Sequence, residues 1–82
     1  MASNTYEEAA RERKVSAMVS VIDRAATEKG VGVEQIINAF ERWTAEDWKR
    51  VDRLAQLKTK SSDTTKKAVI QRFRDRLNLD AF

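Results

Sequence analysis

Two sets of side chains have the types and spacing to do chemistry on a partner. Lys49, Arg53, Gln56 and Lys60 recur at i, i+4, i+7 and i+11, and Lys67, Gln71, Arg74 and Asn78 repeat that spacing further on. Arg72 and Arg76 form a ridge beside the second set. On helices of 3.6 residues per turn each set falls on one face. Cations so arranged contact successive phosphates, and an amide among them reads a base edge. The same pattern also describes the ordinary solvated face of a small helical protein.

For catalysis the inventory is thin. The chain has no His and no Cys, which removes the commonest general base, the commonest metal ligand and any thiol nucleophile. Carboxylates at Asp23, Glu34, Glu46, Asp47, Asp52, Asp63 and Asp75 fall mostly on polar faces or at helix starts. General acid–base work instead needs a carboxyl group perturbed by a pocket. Gly30-Val31-Gly32 lacks the Gly-Lys that completes a phosphate loop, and no calcium loop or Glu-x-x-His pair is present. The expectation is a non-enzymatic chain with no catalytic residue, metal or cofactor.

Charge is unevenly placed. Residues 1–41 carry five Lys/Arg against seven Asp/Glu, and residues 42–82 carry eleven against six. An acidic-leaning half joined to a basic half points to a binding surface.

The elements that must position these groups are read from apolar spacing and punctuation. With no Pro and glycines only at 30 and 32, the 82 residues favour long helices with short connections. Helix 1 is expected over about residues 5–29, with Val15, Met18, Val21, Ile22, Ala25 and Ala26 on its apolar side and Gly30 as its C-terminal cap. Its length predicts that residues 6–14 overhang the rest. Tyr6, Glu7, Glu8, Arg11 and Glu12 are then candidate protein contacts, with Glu7 and Arg11 spaced to pair. Helix 2 carries Val33, Ile36, Ile37, Phe40 and Trp43 over about three turns. Thr44 and Asp47 can cap helix 3, flanked by Trp43 and Trp48 as a hydrophobic staple, so both rings read as core rather than contact. The apolar face of helix 3 runs on through Val51, Leu54, Ala55 and Leu57. Residues 58–63 read as a connection whose Ser61, Ser62 or Asp63 caps helix 4. Helix 4 shows Val69, Ile70, Phe73 and Leu77 on one face, with Asn78 as its stop and Leu79 and Phe82 free to fold back.

The fold class is therefore all-α, a small compact bundle of four helices, or three if helices 2 and 3 run together. One domain of this size is expected to bury roughly 60–65% of its unfolded surface. No apolar run reaches the length of a bilayer span, and residues 1–14, with Glu7 and Glu8 and no apolar stretch, are not expected to act as a secretory signal. The simplest placement is the cytoplasm, with no membrane partner.

Two functional readings stay open. The first is a protein-interaction module: a regulator, inhibitor or adaptor, with a homodimer as one form of the interaction. The second is a nucleic-acid binder using the basic ridges of helices 3 and 4. Against a helix-turn-helix, the connection between helices 3 and 4 lacks Gly and helix 3 opens with Glu46 and Asp47. No family motif can be quoted from these residues. In general make-up the chain resembles small accessory proteins of bacteria or their phages.

Overall fold

The computed structural model describes residues 3–80. Four helices follow one another: α1 (Ser3–Lys29), α2 (Val33–Phe40), α3 (Ala45–Leu54) and α4 (Asp63–Asp80). α4 packs against both α1 and α2, and α1 also packs against α3. The 27 residues of α1 span roughly 40 Å at 1.5 Å per residue, matching the longest dimension of the molecule, 40 Å.

Each boundary has a local cause. Helices 2 and 3 are separate because Thr44 is extended (φ −98°, ψ 173°) and its backbone N–H donates to Asp47 Oδ2 at 2.9 Å. The Thr44 hydroxyl donates to the same oxygen at 3.2 Å. Trp43 and Trp48 close the staple edge to face, 4.8 Å between ring centres. At the start of α2, Gly32 N–H donates to Gln35 Oε1 at 3.0 Å. At the start of α4, the Ser62 hydroxyl oxygen accepts the Thr65 N–H at 3.2 Å, so Ser62 is the cap among the three candidates.

Two helices end in the same paired-bond motif with different residues. After α1, Gly30 takes φ +70°, and the bonds Gly30 N–H to Thr27 O and Val31 N–H to Ala26 O satisfy the last carbonyls. After α3, Gln56 takes φ +58°, with Gln56 N–H to Arg53 O and Leu57 N–H to Asp52 O. An L-residue with a side chain adopts this left-handed conformation at a cost of about 1–2 kcal/mol. The termination corrects the expectation that helix 3 continues through Leu57: it stops at Leu54, and residues 55–62 connect it to α4. α2 is likewise shorter than three turns, and α4 runs past Asn78 to Asp80.

The core joins all four helices. Val15, Met18, Val19, Ile22 and Ala26 of α1 meet Ile36 and Phe40 of α2, Trp48 and Val51 of α3, and Val69 and Phe73 of α4. Phe40 sits among three other rings. Trp48 stacks on it at 5.6 Å, Trp43 meets it edge to face at 4.9 Å, and Phe73 lies tilted at 5.8 Å. Val19 belongs to this core although the sequence reading left it out. Leu54, expected on the apolar face, is 61% exposed, and Leu79 does not fold back. The expectation for Phe82 lies outside the described residues. The overhang is shorter than expected: Glu12 bonds Arg72 of α4, and Lys14 Nζ donates to Thr59 Oγ1 at 3.2 Å, which leaves Tyr6 to Ala9 and Arg11 as the exposed end. Among the described residues Glu7 and Arg11 form no ion pair.

Two substitutions at the caps should move stability in opposite directions. Gln56→Gly should stabilise by about 0.5–1 kcal/mol and raise the melting temperature by a few degrees, since relief of the positive φ exceeds the added backbone entropy. Gly30→Ala should destabilise by about 1 kcal/mol, although an added Cβ would meet nothing within 4 Å. Thermal melts followed by circular dichroism check both. Equal effects of the same sign would contradict the account of the caps.

Candidate functional site

Among the described residues two concavities flank α3, one on each side. The larger, about 300 Å³, is an apolar groove between the C-terminal half of α1, α2 and α3. Val21, Ala25, Val31, Ala39 and Trp43 form its walls above the buried Ile22, Ile36 and Val51. α3 contributes Asp47, Arg50, Val51 and Leu54, at i, i+3, i+4 and i+7, so one stripe of that helix faces the groove. The rim is polar, with Lys29, Gln35, Asp47 and Arg50. Asp47 is already engaged by the Thr44 cap, whereas Lys29 and Arg50 have no carboxylate partner among the described residues.

The second concavity, about 220 Å³, is lined by Lys49, Asp52, Arg53, Leu57, Lys58, Thr59 and Lys60. Lys49 and Arg53 stand one turn apart on α3, and the other cations come from the connection. Asp52 fixes that connection: it is 8% exposed, and its Oδ2 accepts the Ser61 N–H at 3.2 Å. Its other oxygen, Oδ1, and the Ser61 hydroxyl are buried without a hydrogen-bond partner. At about 100° per residue, Lys49, Asp52 and Arg53 lie across α3 from the groove stripe, with the core-facing Trp48 and Ala55 between.

The predicted site residues are thus partly regrouped. Lys49, Arg53 and Lys60 do come together, but through a loop rather than a continuous helical ridge. Gln56 is diverted into the left-handed cap and leaves the set. Lys49 also makes a surface pair with Glu46 at 3.5 Å. On α4, Lys67, Gln71, Arg74 and Asn78 are exposed, but Gln71 donates to Asp75 Oδ1 at 2.9 Å. The neighbouring ridge is consumed by the fold. Arg72 pairs with Glu12, and Arg76 pairs with Asp23 at 3.1 Å while lying over the Phe73 ring at 5.1 Å. These two arginines clamp α4 to α1. The eight-residue connection between α3 and α4 also departs from the tight turn of a helix-turn-helix.

Sequence reasoning missed Asp52 as the anchor of the cationic cleft and Leu54 as the edge of the groove. Asp52 has a legible signal, a carboxylate four residues after Trp48 and three before Ala55, on the core-facing side of α3. Leu54 has none, because its exposure depends on where α1 crosses α3. Among the described residues no three carboxylates are grouped so as to hold a metal ion. No protein-family model matches the chain, and neither a curated protein nor a solved structure matches it.

A double-mutant cycle on Asp23 and Arg76 should return a coupling of about 0.5–1 kcal/mol that shrinks in high salt, as for a half-exposed pair. Arg76→Ala alone should cost more than Asp23→Ala, because it also uncovers the face of Phe73. Urea denaturation of the four proteins measures both quantities. Equal single-mutant losses would remove the role assigned to the Arg76–Phe73 contact.

Proposed function

We propose that the chain is a non-enzymatic protein-interaction module, a small regulator, inhibitor or adaptor that docks its partner in the groove between α1, α2 and α3. The observation that carries this reading is an apolar groove open to solvent with Leu54, 61% exposed, at its edge. A groove of this kind accepts two or three apolar side chains of a partner, the usual anchors of such an interface.

A standard interface covers about 800 Å² on each partner, so the groove would be the centre of a patch whose rim includes Lys29 and Arg50. The rim cations favour a partner with acidic residues beside its apolar anchors, since opposite charges steer encounter and fix register.

Leu54→Lys and Ala25→Glu test the groove without touching the core, since both positions are exposed. Each should change stability by less than about 0.5 kcal/mol. Each should abolish recovery of the partner by affinity capture and cross-linking, while Arg74→Ala retains it. Capture that survives both groove substitutions would refute this docking surface. A concentration-dependent dimer mass by light scattering, lost in Leu54→Lys, would identify the partner as a second copy.

A further inference from the structure

We infer that the cleft between α3 and the connection to α4 is a second binding site, independent of the groove, and that its ligand is the phosphodiester backbone of duplex nucleic acid. Four cations, Lys49, Arg53, Lys58 and Lys60, line one concavity against a single carboxylate, Asp52. Three of them, Arg53, Lys58 and Lys60, have no carboxylate partner among the described residues, and Lys49 has only an exposed one. Lys14 of α1 adds a fifth cation at the rim through its bond to Thr59.

Bringing like charges together is unfavourable unless something holds them and something offsets them. Asp52 does both. Its bond to the Ser61 N–H ties down the end of the segment that carries Lys58 and Lys60. Its charge offsets part of their mutual repulsion from a position in the cleft wall that is 8% exposed. The left-handed cap at Gln56 contributes as well. It turns the chain back so that Lys58 and Lys60 return to the side of α3 that carries Lys49 and Arg53.

The chemistry of the lining selects the ligand. Lys and Arg donate to phosphate oxygens, and the Thr59 hydroxyl can join them. Among the described residues no aromatic ring lines this cleft, so they offer no platform on which unpaired bases would stack. A backbone held on one side, as in a duplex, fits such a surface. The fit is sequence-independent, because contacts to phosphate position a duplex without reading it.

The test is fluorescence anisotropy with a short labelled DNA duplex, titrated from low to near-physiological salt. Four phosphate contacts give a log–log salt slope of about −3.6, and removing two should bring it to about −1.8. The double variant Arg53→Gln/Lys60→Gln should weaken binding by about tenfold or more at low salt. Lys67→Gln/Arg74→Gln removes the same charge from the exposed face of α4 and should cost far less. Leu54→Gln, in the groove, should leave the anisotropy curve unchanged, so failure here and failure of protein docking are read separately. Equal losses in the two charge-matched variants would reduce the effect to net charge and overturn the site. Absence of binding at low salt, or tighter binding to an oligo-dT single strand, would also overturn it. So would binding only to phosphatidylserine/phosphatidylcholine vesicles.

Discussion

The ring of Phe40 stands between Trp48, Trp43 and Phe73, and through these contacts the end of α2, the linker, the start of α3 and the middle of α4 share one packing unit. Much of the surface geometry follows from it. Trp43 is pinned between Phe40 and Trp48, so it cannot sink into the core and instead stays half-buried as a groove wall. The short α2 does not cover the C-terminal half of α1, which leaves Val21 and Ala25 on the groove wall. In a chain of this size the core and the candidate docking surface are two sides of the same few residues.

Charge is sorted by the fold rather than spread by it. Sixteen basic residues read as one undivided reservoir along the sequence. In three dimensions Arg72 and Arg76 fasten α4 to α1, Lys66 lies near Trp48 and Asp63, and four other cations gather beside the end of α3. Surface ion pairs of this kind contribute little individually. Their larger effect here is to decide which cations remain available to a ligand.

The four helices were legible because their signals are local. The Thr44–Asp47 cap, the paired tryptophans, the serines before α4 and the glycine after α1 each act within a few residues of themselves. What the sequence hid was non-local or ran against propensity. Gln56 is a good helix former, so nothing at that position announces a left-handed turn. Missing that turn extends α3 by three residues and places Gln56 on a helical face it does not occupy, while the i+11 spacing that adds Lys60 runs on into the connection. The partners of Arg72 and Arg76 lie 60 and 53 residues away, beyond any spacing rule. Leu54 satisfies the periodicity of α3 and is nevertheless exposed, because periodicity names a face and only packing names its neighbour.

The two left-handed caps also say something about what kind of information the chain carries. Around Gly30 there is open space where a side chain would begin, so no neighbour excludes a larger residue. The position is restricted by handedness: an L-amino acid is the wrong mirror image for that torsion, and glycine, being achiral, escapes the choice. Gln56 occupies the same torsion as a chiral residue. Two bends of nearly identical shape are therefore specified differently, one by removing stereochemistry and the other by overriding it. Tolerance to substitution at such positions follows chirality and not size.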